Sequence, residues 1–223
     1  MSATAPLDLE ILHMLHDCGS DDGTAQWLAE EQGVQAMFSD GPTPPGKARN
    51  LAARACSSEL LMALDDDDLL LQRTAYHFAR ALSDEGWEWA VSDFLKIDQD
   101  GRYLPGEDYY GWEFESPNEM LRAIFSGRHF IQGNACFTRD LFERCGGYAE
   151  EMKTAEDLEL YTRFVLEAGL PRYLPMASHL HRMHGGNLSR TVDKDHYNRD
   201  LEIIYDKHRS ELERRGISLE LIP

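Results

Sequence analysis

Short apolar runs of strand length alternate along the chain with longer segments whose apolar positions recur at helical spacing, and turn-forming clusters separate them. Leu9, Ile11, Leu12, Met14 and Leu15 give "LEILHMLH" (9–16) the pattern of a buried strand. It stops at "DCGSDDGT", where glycines and short polar side chains allow tight backbone geometry. Thr24 to Gln32 predicts a helix with Gly33 as its stop, and "VQAMF" a second strand. The prolines of "SDGPTPPG" predict a loop. Ala48, Leu51, Ala52 and Ala55 then make a small apolar face for a helix over Lys47–Ser57. "ELLMAL" (59–64) is almost continuously apolar, as expected of a central parallel strand covered on both faces.

The alternation continues to the end of the chain. A helix to about Ser83 precedes "WEWAVSDFLKI" and "GRYL", which read as a strand pair joined at "DQDG". "PGEDYYGWEFESPNEM" predicts a long loop entering a helix near Pro117–Ser126. A short strand around "HFIQG" follows, then a helix "RDLFERC" closed by Gly146 and Gly147, and a longer one from Ala155 to Ala168. A strand around "RYLP", a histidine-bearing segment and a charged helix over Lys194–Arg215 complete the reading. The expectation is one α/β domain over 1–223, a mostly parallel central sheet flanked by helices. Within it the chain divides into 1–104, 105–192 and a terminal helix over 193–223.

Composition narrows the partners. Forty acidic against twenty-two basic residues leave a formal charge of −18, spread along the chain. Such a surface repels nucleic acid and anionic lipid, so neither is an expected partner. An anionic small molecule would bind only where a cation or local basic groups offset the field. No apolar stretch reaches membrane-spanning length, and "MSATAPLDLE" lacks the regions of a signal peptide, so the cytoplasm is the expected compartment. Cys18, Cys56, Cys136 and Cys145 have no C-x-x-C spacing and read as reduced thiols.

The candidate chemistry centres on "LLMALDDDDLLLQ" (60–72), where four aspartates follow an apolar strand. In open α/β sheets ligands bind beyond the carboxyl ends of strands, which is where this cluster falls. Hard divalent ions such as Mn²⁺ and Mg²⁺ take carboxylate oxygens together with substrate phosphates. Asp65 and Asp67 would share a face of an extended chain and could reach one ion. Asp66 and Asp68 would point elsewhere, to a sugar hydroxyl, a backbone donor or the next helix N-terminus. A solvated acidic turn is the plain alternative.

Three stretches give the cluster a context. "DCGSDDGT", "GKARNLAARACSSELLMALDDDD" and "GNACFTRDLFERCGGYAEEMKTAEDLELYTRF" resemble, in order and character, segments of family 2 glycosyltransferases of the GT-A fold, with a looser likeness at "HRMHGGNLSR". The resemblance implies an inverting transfer of a sugar from a nucleotide-diphosphate donor to an acceptor hydroxyl, with a UDP-sugar favoured by family frequency and Mn²⁺ or Mg²⁺ as cofactor. It implies Asp67 and Asp65 as metal ligands with His184 as a third. Asp17 would meet the base or ribose, Asp66 belongs to the same nucleotide side, and Lys47 or Arg49 would add positive charge near the phosphates. Asp157 would be the catalytic base with Glu156 beside it and Arg163 as an orienting partner, and Gly133 and Asn134 would face the transferred sugar. Locally, Thr154 to Asp157 also fits a capping box in which Asp157 only closes a helical turn. His179, His181 and His184 resemble a metal cluster by count, but a separate zinc site is not expected, since no cysteine is placed to complete it.

The pattern also departs from that family. Its members begin with a further strand and helix, whereas only "MSATAPLD" precedes the first predicted strand here, and Cys18 stands where the family usually has a second aspartate. The expectation is an open sheet edge, with the base pocket built differently or covered by a homo-oligomer or partner chain. Two other functions remain consistent with the residues: a nucleotide-sugar-binding protein without transferase activity, and an acidic scaffold whose aspartates hold calcium.

Overall fold

The computed structural model describes residues 9–106, 114–127, 133–187 and 194–221, with backbone alone at 84 and 85. A parallel pair, β1 (Met14–Asp17) and β2 (Gln35–Phe38), is joined by helix α1 (Thr24–Glu30). Helix α2 (Pro45–Ala55) starts inside the predicted loop, because Pro45 fits the first helical turn, where no N–H is needed. Strands β3 (Leu60–Met62) and β4 (Leu69–Leu70) flank the aspartates, and α3 (Thr74–Glu85) and β5 (Trp89–Asp98) follow. Then come α4 (Pro117–Phe125), β6 (Ala135–Thr138), α5 (Arg139–Arg144), α6 (Glu156–Ala168), β7 (Arg172–Met183) and α7 (Lys194–Arg214).

The main sheet has the order β3-β6-β5-β7-β4. The α/β class holds, and parallel pairing joins β5 to β7 as it joins β1 to β2. The sheet is nonetheless mixed: β6 runs against both β3 and β5, and β4 runs against β7. Alternation along the strands separates two packed faces. Trp89, Val91, Ala135 and Phe137 face α4, α6 and α7, where Ile124, Tyr161, Phe164 and Ile204 fill the larger core. Trp89 stacks on Tyr161 at 6.1 Å between centroids and meets Phe164 edge-on at 5.6 Å. Ala90 and Cys136, one residue out of phase, face Phe78 and Leu82 of α3.

Several strand expectations change in position. "LEILHMLH" is a strand only from Met14, and Leu9, Ile11 and Leu12 are exposed. β3 is an edge of the main sheet, half-buried, because Leu60, Leu61 and Met62 also line a cleft; a continuous apolar run cannot distinguish that position from a central one. The "RYLP" strand runs on through the histidines to Met183. Pro175 does not end it, since a bulge opposite Ser92–Phe94 absorbs the irregular residues before regular pairing resumes at Phe94↔His179. The predicted hairpin after β5 is a turn at Asp98–Gly101 with an isolated bridge Ile97↔Tyr103. Most of "HFIQG" and part of the loop before α4 lie outside the described residues.

Candidate active site

A cleft of about 590 Å³ opens between β1, α2 and the end of β3. Its volume suits a small organic ligand. Asp17, Cys18, Arg49, Tyr148, Asp65 and Asp66 line the cleft. Leu60, Leu61 and Met62 also line it, which explains the unbroken apolar run before the acids.

Asp17 ends β1, and its Oδ1 accepts from the backbone N–H groups of Gly19 and Ser20, both at 3.1 Å. Bonds from Ser20 and Gly19 hold its carboxyl below the usual range, so it stays charged as it shapes the turn beside the cleft. Cys18 lies against His16 Nδ1 at 3.4 Å, and His16 Nε2 lies 3.1 Å from Ser39 Oγ, linking β1 to the end of β2.

The aspartates gather through a turn rather than along an extended strand. The Asp68 N–H donates to the Asp65 carbonyl at 3.2 Å, so the chain reverses and the carboxylates of Asp65, Asp67 and Asp68 come within 4.8 Å of one another. Asp66 is exposed at the rim. Asp67 Oδ2 meets His184 Nε2 at 2.8 Å and accepts from Asn187 Nδ2 at 3.0 Å, while its carbonyl accepts from Arg182 Nε at 2.8 Å. Asp68 turns inward, and its Oδ1 accepts from the Arg182 N–H at 2.8 Å, the backbone-donor alternative among those expected. Burial would raise its carboxyl, but bonds from His181 and the Arg182 N–H outweigh that and lower it.

Arg49 ties this cluster to the second candidate group. Its Nη2 donates to Asp65 Oδ1 at 2.6 Å, its Nη1 donates to Glu156 Oε1, and its guanidinium lies 5.5 Å from the centre of the Tyr148 ring. The next residue, Asn50, is buried and bonds to the turn that carries Tyr148. Its Nδ2 donates to the Tyr148 carbonyl and to Glu150 Oε1, both at 2.9 Å, and its Oδ1 accepts from the Tyr148 N–H at 2.8 Å. The Arg-Asn pair of α2 thus fastens acids with one residue and a turn with the other. Sequence reasoning missed Tyr148, Asn50, Arg182 and Asn187, although each lies within one of the stretches that resemble the family.

Glu156 and Asp157 begin α6, after Ala155 in a left-handed conformation at φ 57°. The capping box is absent: Thr154 bonds instead to His196 and Asp200 of α7, and Asp157 Oδ1 accepts from the N–H of Leu158 at 2.7 Å. Burial and the neighbouring Asp157 push the Glu156 carboxyl up to about 7 against the pull of Arg49. Burial likewise raises Asp157, opposed by Arg49. Two neighbouring acids whose carboxyls are both raised suit proton transfer.

Other expected residues sit elsewhere. Lys47 is exposed and does not line the cleft; its charge helps lower the Glu150 carboxyl. Arg163 does not orient Asp157. It donates to both Glu159 oxygens and to the carbonyls of Cys145 and Gly147, clasping α6 to the turn after α5. Asn134 is fully buried, and its Nδ2 donates to the Ser92 carbonyl inside the sheet. Gly133 stands near the Ala63 carbonyl, 3.8 Å from where a Cβ would lie. All four cysteines are free, as expected, and burial pushes the Cys136 thiol up to about 12. Among the described residues no helix is long and apolar enough to cross a membrane.

Comparison with known proteins bears on the family and the fold. The model described as "Glycosyl transferase family 2" matches residues 8–146. Among solved structures, S. aureus TarS 1–349 in complex with UDP-GlcNAc is similar at TM-score 0.65 and 18% identity, over 86% of this chain and 56% of that one. The same protein with UDP gives 0.61 and 18%, over 88% and 62%. The mannosyltransferase PcManGT of Pyrobaculum calidifontis, in complex with GDP-Man and Mn²⁺, gives 0.60 and 18%, over 88% and 54%. The chain therefore spans a little over half the length of these relatives. Among curated proteins none matches.

Proposed function

Since the chain belongs to glycosyl transferase family 2, with residues 8–146 matched, we propose that it moves a sugar from a nucleotide-diphosphate donor, a UDP-sugar first, to an acceptor hydroxyl with inversion. The observation that carries this reading is the Arg49 fork, which joins Asp65 at the cleft to Glu156 at the start of α6. It ties the aspartate turn, whose oxygens suit a divalent ion, to a raised carboxyl at the start of α6 that suits a proton.

Asp65 and Asp67 fit a hard ion of the Mn²⁺ or Mg²⁺ kind, because their oxygens lie within 4.8 Å of one another and Asp65 keeps 45% of its side chain exposed. His184, in contact with Asp67, is the expected third ligand. When bound, the ion supplies charge neutralisation for the departing diphosphate. Asp17 holds the turn against which the base or ribose rests, and Asp66 lines the same cleft. Asp157 takes the acceptor proton as the hydroxyl oxygen attacks the anomeric carbon. The bond from that carbon to the diphosphate oxygen breaks, and its electron pair leaves with the phosphate. Glu156, held by Arg49, keeps a second acid beside the first.

Calorimetry with UDP and GDP, with and without Mn²⁺, combined with mass detection of glycosylated product over an acceptor panel, tests the proposal. The expected result is metal-dependent nucleotide binding that Asp67→Asn abolishes, and product that Asp157→Asn abolishes with nucleotide binding intact. Binding without product from any donor would support the nucleotide-sugar-binding protein instead. Absence of nucleotide binding under all conditions would sink both.

A further inference from the structure

Behind the cleft-facing acids, on the sheet side of the same turn, lies a second group of ligands that the transfer reaction does not use. His179 and His181 are two apart on β7 and so share a face, and Asp68 turns inward to meet them. Asp68 Oδ2 lies 3.2 Å from His181 Nδ1 and 3.7 Å from His179 Nε2. Ligand atoms about 2.0 to 2.1 Å from a tetrahedral zinc ion stand about 3.3 to 3.4 Å apart, so the two measured edges bracket that spacing.

His179 supplies an independent sign. It is fully buried, stacks on Phe94 at 5.2 Å, and its Nε2 has no hydrogen-bond partner among the described residues. Its other nitrogen is occupied: Nδ1 lies 3.1 Å from Ser178 Oγ. Ser178 Oγ donates to the Asp93 carbonyl at 3.4 Å, so it accepts from the imidazole, the proton sits on Nδ1, and Nε2 presents a bare lone pair to a carboxylate. Two acceptors facing each other in a buried site cost free energy unless a cation stands between them. Ser178 is then the outer partner that aims a ligating imidazole.

We propose that Asp68, His179 and His181 form a second metal site, selective for a borderline transition ion of the zinc type and distinct from the oxygen-rich site of Asp65 and Asp67. Two imidazoles and one carboxylate suit zinc better than Mg²⁺ or Mn²⁺. The absence of cysteine ligands does not count against it, because the third ligand comes from the aspartate run itself. The ion joins the turn after β3 to β7 from behind. The site needs no sugar or nucleotide, so it stands or falls separately from the transferase reading.

The test is titration of chelator-treated full chain with Co²⁺, followed by visible absorption, and with Zn²⁺ in competition. Wild type is expected to bind one Co²⁺ tightly with the intense bands of a four-coordinate site, and Zn²⁺ is expected to displace it. His179→Gln and His181→Gln are each expected to weaken binding at least about 100-fold and remove those bands, while Asp67→Asn keeps them. Circular dichroism of each variant checks that the fold persists. Because loss of a histidine could also unfold the site, Ser178→Ala provides a milder probe, expected to weaken Co²⁺ about 10-fold with the bands retained. Wild type with no tight Co²⁺ or Zn²⁺, or folded histidine variants with unchanged affinity and spectrum, would overturn the proposal.

Discussion

At the scale of single residues, Arg49 decides how the acids behave. Its planar fork reaches two carboxylates at once, which a lysine ammonium cannot do from the same backbone. Arg49→Lys is expected to leave one acid unpaired and cut sugar transfer on the order of 100-fold, read as nucleotide release in the presence of acceptor. Glu156 gives a second measurable consequence. Its folded-state value of about 7 exceeds the ordinary 4.5, so the folded chain binds more protons than the unfolded one between those limits. Its contribution therefore makes stability fall as pH rises from about 4.5 to about 7 and level off above. Glu156→Gln is expected to reduce that slope in urea titrations; Asp157, shifted the same way, keeps part of it. Ala155 carries a cost of its own, since a left-handed alanine is unfavourable by about 1 to 2 kcal/mol and aims the two acids.

At the scale of elements, α6 is held by its side chains more than by its ends. Arg163 runs from Glu159 on its own helix to the carbonyls of Cys145 and Gly147. Arg163→Met is expected to lower stability by about 2 to 4 kcal/mol in denaturant unfolding, because Glu159 would remain buried with weaker partners. Gly147 belongs to the same joint. At φ 76°, with Asn50 Oδ1 2.7 Å from where a Cβ would sit, Gly147→Ala is expected to cost about 2 kcal/mol and to loosen the Asn50 contacts to Tyr148. The sequence made the glycine pair legible as a helix stop. It did not reveal that Arg163 closes over that stop, because a Glu-x-x-x-Arg pair along a helix reads the same whether or not it also reaches a neighbouring loop. Period-based reading likewise found most helices but cut β7 at Pro175, since nothing local announces that a bulge will restore pairing.

For the whole molecule, the formal charge of −18 and its wide distribution imply self-repulsion in the folded state. Raising salt from about 0.01 M to about 0.5 M is expected to raise the melting temperature by several degrees, because exposed charges beyond a Debye length become screened. A flat response would mean that local pairs already neutralise the acids. The fold class, the acidic turn and the start of α6 were readable because each has a compact local signature in the residues. The Arg49 fork joins positions 16 and 107 residues apart, and such pairings emerge only when the sheet brings them together. The far end of β7 shows what that assembly entails. A strand terminus ordinarily frays, yet here Asp68 accepts the Arg182 N–H and Asn187 folds back onto the Arg182 carbonyl. Deuterium uptake should stay slow through Arg182, and acidification should open that rim first, while the fluorescence of buried Trp89 still reports an intact interior.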